Sequence, residues 1–530
     1  MNNKKAAYCL GNNAVTANNF YVFHNNSIPK DRTDSKFDES KKAASYKNDG
    51  YGLDDIGNGK RLANRFKNII GYCHEQEKWY YFNGKVWEVS SRTSIEGLAK
   101  IIMRELLDEA TEEESEEFLK FAKSCQSAAK IRAMVEMAKS EEDIRVYAED
   151  FDSNSNVFVC NNGTFYFDQR NTWGKIIKGK LIRSTGYGFI PAFDPTDKVT
   201  LMSHNNFLYP ERDMTIKNYG WSREIPYHEL APKFREAMKK YHPSTEIRKF
   251  ILRAYASCFE GGNKDHKFIV NFGKGANGKS TVDDLFEKIM GDYAERIQTS
   301  TLMQTKFGNA SHASADMATL QGKRFVLGSE TKKGAIFDEA IIKEMTNTKT
   351  KVKALYENQK KMDIDFTPFI DTNWKPILKD TGYSTERRIV VVSWDYTITE
   401  EEKDPHFVDK LFEEEGDEIF TLFINHFWGY KDEGKFIIPP AIKATTEQYF
   451  EEMNLSKKFL NDCCNADPDA EEKAQDVYTS YCFWCDAENI ARLGRNSFYQ
   501  ALEDEGVKIA LNGKKTKCIY RYELKRKKES

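Results

Sequence analysis

One run in this chain has residue types and spacing suited to phosphate chemistry: Gly273-Lys274-Gly275-Ala276-Asn277-Gly278-Lys279-Ser280, followed by Thr281. Its glycines let a backbone wrap closely around phosphate oxygens with the N–H groups turned inward. An ammonium at Lys279 would reach the β- and γ-phosphates, and the Ser280 hydroxyl would ligate Mg²⁺. A helix opening at this point adds the favourable end of its dipole. The pattern predicts a nucleoside triphosphate site lined by Gly273, Gly275, Ala276, Asn277, Gly278, Lys279, Ser280 and Thr281. An ordinary strand-to-helix turn would not require Lys-Ser after its last glycine.

A triphosphate hydrolase also needs an acid at the end of a second strand. The β-like run from Arg324 ends in Glu330, placed to polarise a water or to help hold Mg²⁺ through its shell. The plain alternative is a surface glutamate after a strand. A third strand ends in Asp371-Thr372-Asn373, and Asn373 is placed to sense the γ-phosphate and orient water. Glu386-Arg387-Arg388 precedes an apolar run at 389–392. An arginine at a subunit edge could act on a neighbour's phosphate; a surface salt bridge explains either arginine equally well.

These residues need a scaffold that brings strand ends together. KFIVNF reads as a short buried strand before the loop, and a helix starts near Ser280. Strands follow at RFVLGS, MDIDF, PFIDTN and RRIVVVSW, separated by helical stretches. That alternation predicts an α/β sheet domain. Upstream, residues 228–259 have helical periodicity. KWYYFNGKVWEV and NVFVCNNGTFYF read as hairpins, the first on its Asn83-Gly84 turn. Residues 94–148 read as mixed-charge helices. The tail from about 470 to 524 reads as helix, helix, strand, strand.

With 530 residues the chain has room for about three or four domains. Its net charge of −3 is nearly balanced, so any case for nucleic acid must come from local patches. No run is apolar and long enough to span a membrane, and the polar start has no signal-peptide pattern. The ten scattered cysteines suit a reducing compartment. Cys482 and Cys485 form a lone CxxC without a second pair at zinc spacing, which favours core cysteines over a zinc or redox pair.

Two basic patches stand out. KTKVKALYENQKKMDIDF reads as a hairpin with Lys360 and Lys361 at its tip and Lys351 and Lys353 beside them. In the tail, Arg492, Arg495, Lys508, Lys514, Lys515, Lys517, Arg521 and the run 525–528 crowd together. There 494–502 would be a recognition helix and Asn512-Gly513 the turn of a wing.

Taken in order, NGKS, FVLGSET, IKEMTN, KALYEN, TPFIDTNWKP and ERRIVVV resemble the motif series of superfamily 3 helicases. The match is closest to the phage and plasmid branch related to poxvirus D5 and the P4-type primase-helicases. GNGKRLANRF and YFNGKVWE look like the D5-type N-terminal region, and RNSFYQALEDEG onward is similar to the winged-helix tail of that branch. The resemblance implies a multidomain α/β protein with a central AAA+ P-loop ATPase. It divides the chain into a flexible leader (1–50), a D5-like α+β region (51–225), the AAA+ domain (226–400), a helical linker (401–465) and a winged-helix domain (466–530).

By the same resemblance Lys279 and Ser280 are the Walker A residues, Glu330 the Walker B acid, Lys343 the basic position after it, Asn373 the sensor, and Arg387 or Arg388 the finger acting in trans. Two departures are visible. Thr346 is followed by Asn347-Thr348-Lys349 where many relatives have Gly-Gly-Asp, and the Walker B run ends in Ser-Glu rather than two acids. The implied function is an ATP- and Mg²⁺-dependent hexameric DNA helicase that moves on single-stranded DNA and recognises a double-stranded origin. The implied setting is a phage or plasmid in a bacterial cytoplasm, with host or element-encoded replication proteins as partners. Two other readings stay open: a primase-helicase, for which the leader offers no carboxylate-rich domain, and a nucleotide-binding switch or scaffold that unwinds nothing.

Overall fold

The computed structural model describes residues 45–113, 115–168, 174–177, 180–183, 188–208, 229–304, 316–329, 331–352, 360–378, 382–488 and 492–525. Residues 1–44 of the expected leader, Glu330 and Lys353 lie outside the described residues.

The first body starts with helix α1 (Asp55–Phe66), capped where the Asp54 carboxylate accepts from the Gly57 N–H at 2.7 Å. Strands β1 (Ile70–Cys73), β2 (Lys78–Phe82) and β3 (Trp87–Ser90) form an antiparallel sheet. The Asn83 side chain accepts from the N–H groups of Lys85 and Val86, which closes the β2–β3 turn as expected for Asn-Gly. Helices α2 (Arg92–Glu112), α3 (Glu116–Ser124) and α4 (Ala128–Ala138) pack on α1 through Leu62, Phe66, Ile102, Leu106 and Met134.

A second antiparallel sheet holds β4 (Val157–Cys160), β5 (Gly163–Tyr166) and β8 (Phe189–Ile190). Between β5 and β8 the ribbon β6 (Gly174–Ile177) and β7 (Lys180–Arg183) pairs with itself. This second sheet shares one core with the phosphate-loop body. Phe158 stacks on Tyr293 at 4.3 Å, and the Tyr293 hydroxyl accepts from the Val159 N–H at 3.0 Å.

That body is a five-stranded parallel sheet. Its strands are β9 (Phe268–Phe272), β10 (Ala294–Ile297), β11 (Phe325–Ser329), β14 (Thr367–Thr372) and β15 (Ile389–Ser393), in the spatial order β10-β11-β14-β9-β15. Strands buried on both faces are apolar throughout. Ile269, Phe325, Leu327, Phe369 and Val390 face a core built by α5 (Pro232–Tyr241), α6 (Thr245–Ala256), α7 (Lys279–Met290) and the long helix Phe407–Glu433. Val270, Val326, Ile370 and Val391 face the other way, toward Phe337, Ile342, Tyr449 and Phe450. The sheet order puts the carboxyl ends of β9, β14 and β11 side by side, where open parallel α/β sheets carry their ligands.

A two-stranded ribbon, β12 (Lys349–Val352) and β13 (Lys360–Asp363), leaves this body antiparallel. The chain ends in a separate core in the order helix Leu455–Cys463, β16 (Cys464–Lys473), helix Ala474–Ala487, helix Arg495–Asp504, β17 (Ile509–Leu511) and β18 (Lys517–Leu524). The tail has the expected helix, helix, strand, strand order, and it is preceded by β16, a strand the sequence did not announce. Its residues, CNADPDAEEK, are polar and poor strand formers. They pair with β18 across a register shift between Ala466 and Glu471, so tertiary pairing overrides propensity. The helix expected at 494–502 runs from Arg495 to Asp504. Cys485 lies in this core beside Tyr481, while Cys482 is half-buried. Among the described residues no helix is long and apolar enough to cross a membrane.

Candidate phosphate site and nucleic-acid interfaces

The loop between β9 and α7 is shaped by close approach. A Cβ on Gly273 would lie 2.0 Å from the Asn277 amide nitrogen and 2.5 Å from the Trp394 carbonyl oxygen. Gly278 has φ +88°, and a Cβ there would lie 2.6 Å from the Tyr241 ring. Both positions exclude a side chain, one by space and one by space and conformation. The Asn277 amide donates to the Trp394 carbonyl at 2.9 Å, and the Ile398 N–H donates to the Ala276 carbonyl at 2.7 Å. The segment after β15 thus braces the outer side of the loop.

Lys279 opens α7 and is 4% exposed. Its ammonium donates to the Gly273 carbonyl at 3.0 Å, to Asn277 Oδ1 at 2.9 Å and to Asn373 Oδ1 at 3.3 Å. Burial lowers its pKa, and the negative charges of Asp371 and Asp283 oppose that shift. A charge this enclosed needs a compensating anion or a full set of acceptors, and these neutral acceptors are ones a phosphate can replace. Ser280, next on the helix, is exposed. The loop with no room for a Cβ at Gly273 or Gly278, the enclosed ammonium and the exposed Ser280 suit a triphosphate with Mg²⁺.

Asn373 follows β14, so the predicted sensor and Walker A lysine do meet. The side chain of Glu330 is not described, but its successor is. Thr331 Oγ1 shares a hydrogen with Thr372 Oγ1 at 2.5 Å and donates to the Trp374 carbonyl at 3.0 Å. Those bonds tie the exit of β11 to the exit of β14 on either side of Asn373. Sequence reasoning passed over Thr331 and Thr372, because a threonine beside a motif has no signature of its own.

The two arginines differ. Arg388 is 8% exposed, donates through Nε to Thr346 Oγ1 at 3.0 Å and donates to the Ser384 carbonyl. It is consumed inside its own body, holding the end of the helix Glu339–Met345 against the start of β15. Arg387 is exposed beside Tyr383, a 78% exposed ring. Lys343 lies on the helix Glu339–Met345, one turn before Thr346.

The ribbon corrects another expectation. Lys360 and Lys361 are not at its tip: Lys360 pairs with Val352 and Lys361 with Lys351 within the ladder, and the connecting residues 353–359, with Lys353, lie outside the described residues. Strand alternation decides this, because Val352 and Met362 must both point into the core. The result places two exposed lysines, Lys351 and Lys361, directly opposite each other. Like charges in register are destabilising without a shared anion. The expectation put Lys360 and Lys361 at the tip, but β13 already begins at Lys360.

In the C-terminal core Arg492, Arg495, Lys514, Lys515 and Lys517 are all exposed. The Arg495 guanidinium lies 5.4 Å from the Tyr478 ring centre and the Lys517 ammonium 4.6 Å from that of Tyr499, while Arg492 pairs with Asp486 at 3.3 Å. Lys514 and Lys515 occupy the β17–β18 turn, where Asn512 Oδ1 accepts from the N–H groups of Lys514 and Thr516.

Residues 59–204 match the family described as D5 N terminal like. The chain is 28% identical over 294 residues to "Putative helicase 022R" of Frog virus 3 (isolate Goorha), covering 52% of this chain and 30% of that protein. It is 23% identical over 288 residues to "Putative primase C962R" of African swine fever virus (strain Badajoz 1971 Vero-adapted), covering 51% of this chain and 30% of that protein. The matched stretch therefore spans under a third of each relative's own length. A solved structure, the A form apo structure of the NrS-1 C terminal region, superposes with a TM-score of 0.40 at 10% identity, covering 88% of this chain and 99% of that one. The N-terminal match and the two curated relatives support kinship with D5-like primase-helicases. Both relatives are viral, so the expected bacterial, phage or plasmid setting has no support from them.

Proposed function

We propose that the chain is an ATP-dependent DNA helicase motor of the superfamily 3 type. The observation that carries this reading is the meeting of Lys279 and Asn373 at 3.3 Å, at the head of a parallel sheet and beneath a loop with no room for a Cβ at Gly273 or Gly278. Lys279 and the loop N–H groups bind the phosphates of ATP, the Ser280 hydroxyl holds Mg²⁺, and Asn373 orients water toward the γ-phosphate. Glu330 is the base that takes the water's proton. Bound Mg²⁺ neutralises charge on the β- and γ-oxygens.

The arginine acting in trans is Arg387. Arg388 is buried on Thr346 and Ser384, so reaching across to a neighbour would break its own bonds. A homo-hexameric ring would place Arg387 against the next subunit's phosphates. The facing Lys351 and Lys361, repeated around that ring, form a positive collar for single-stranded DNA. The order helix, strand, helix, helix, strand, strand at the C-terminus supports reading this domain as a winged helix, with Arg495 opening the recognition helix and Lys514 and Lys515 on the wing. This domain binds double-stranded DNA, as at an origin.

ATP-driven unwinding of a forked duplex tests the proposal. Unwinding that needs ATP and is lost in Lys279→Ala supports it; ATP hydrolysis at the native rate by Lys279→Ala overturns it. Similarity to a protein named as a primase favours a second reading, priming activity, and template-directed primer synthesis by this chain would establish it.

A further inference from the structure

Two carboxyl groups meet in the core behind the phosphate loop. Asp283 sits one turn after Lys279 on α7 and is 1% exposed. Asp371 is on β14, in register with Asn271 of β9 and Ser329 of β11, so its side chain leaves the sheet toward α6 and α7. The two carboxyls are within hydrogen-bonding reach of each other.

The donors around them are already used. The Trp394 indole N–H donates to Asn271 Oδ1 at 3.1 Å, the Asn271 amide donates to the Tyr255 oxygen at 3.0 Å, and the Tyr255 hydroxyl donates to Asp283 Oδ1. Asp283 Oδ2 and Asp371 Oδ1 are buried and have no hydrogen-bond donor among the described residues. Two ionised carboxylates cannot face each other at this depth, and a single proton between them removes the conflict. Lys279, on the adjoining turn, is attracted by both.

We propose that Asp283 and Asp371 share a proton and act as a positioning pair for Lys279, so that the charge on the pair sets how tightly the loop holds phosphate. This rests on the reading of Gly273–Ser280 as a triphosphate site. Burial pushes Asp371 up to about 7, with Lys279 pulling it back, and burial together with the Asp371 charge pushes Asp283 upward. The other groups facing the pair are the Tyr255 hydroxyl on α6, the Asn271 amide on β9, Asp284 on α7, whose charge raises both carboxyls, and Arg296 on β10, whose charge lowers Asp371. Below about 7 both carboxyls carry a proton; above it Asp371 gives its proton up, and the pair keeps one shared proton and one negative charge beside Lys279. That charge holds the ammonium back and repels incoming phosphate. Nucleotide affinity therefore falls as pH rises through about 7. The free protein follows the same sign. A carboxyl raised by folding contributes stability below the ordinary carboxylate range and loses it as pH rises through its folded value.

The test compares the full chain with Asp371→Asn and Asp283→Asn, since an amide keeps the shape and supplies the missing donor. Affinity for Mg·ADP is measured by calorimetry from about pH 6 to about pH 8.5, alongside the melting temperature of the nucleotide-free protein over the same range. Wild-type affinity should fall about three- to tenfold, the size expected for one charge at this separation. Either asparagine variant should be flat within about twofold and should lose the wild-type drop in melting temperature. Equal pH slopes in wild type and both variants, in affinity and in melting temperature, overturn the pair. If no protein binds Mg·ADP at any pH, the triphosphate reading fails. The melting curves then decide the pair alone, and curves of the same shape overturn it.

Discussion

The phosphate loop and the β12–β13 ribbon handle positive charge in opposite ways. At the loop, Lys279 is enclosed and held by three neutral acceptors, with carboxyls behind it. On the ribbon, Lys351 and Lys361 stand exposed and directly opposed. The ribbon's ion pair joins Lys349 to Asp363 at 3.0 Å, further from the connecting residues. A buried ammonium held by exchangeable neutral acceptors suits a small, highly charged ligand bound in one geometry. Facing exposed lysines suit a polyanion that passes by, bound through charge alone and weakened by salt. The lesson is that burial separates two kinds of lysine site, one enclosed by fixed acceptors and one open to any passing anion.

Mutations that separate the two kinds of site test this contrast. The largest effect is expected at Arg387. Arg387→Ala should lower kcat for ATP about a thousandfold in the assembled protein while leaving its melting temperature unchanged. Arg388→Ala should instead lower the melting temperature by several degrees, because Thr346 and Ser384 lose a buried charged partner. Equal melting temperatures with equal kcat losses would remove the distinction between the two arginines.

Next in size, Lys279→Ala should reduce ATP hydrolysis about a hundred- to a thousandfold and leave salt-sensitive DNA binding intact. The ribbon should behave conversely. Lys351→Ala with Lys361→Ala should leave DNA-free ATP hydrolysis within about twofold and lower the slope of log affinity against log salt by about 1.4 for each subunit that engages single-stranded DNA, which titrations at several salt concentrations would read. An unchanged slope would take the ribbon out of the DNA path. The smallest effect is expected at Thr331→Val, which removes one hydroxyl between the exits of β11 and β14. It should cost about 1 kcal/mol of stability in denaturant unfolding, with kcat reduced more than nucleotide affinity, since Thr331 follows Glu330 in sequence and Thr372 precedes Asn373.

Much of the local geometry was legible because local rules govern it. Glycine spacing with Lys279 and Ser280 predicts a tight loop before a helix, and Asn83-Gly84 predicts its turn, from conformational preference alone. The apolar runs at β9, β11, β14 and β15 are legible because strands buried on both faces must be apolar. Polar strand β16 and the register that seats Lys361 opposite Lys351 were not, since both depend on partners far along the chain.

By itself the sequence determined the phosphate loop, the hairpin turn at Asn83-Gly84 and the alternation of strands and helices that builds the parallel sheet. Each follows from preferences of residues within a few positions of one another. Only the tertiary structure decided that Arg388 is buried while Arg387 is exposed, and that Asp283 and Asp371 meet behind Lys279. Neighbouring arginines look alike in a string of residues. Which one is buried, and which two carboxyls must share a space, depends on how the sheet, α7 and the helix Glu339–Met345 pack together.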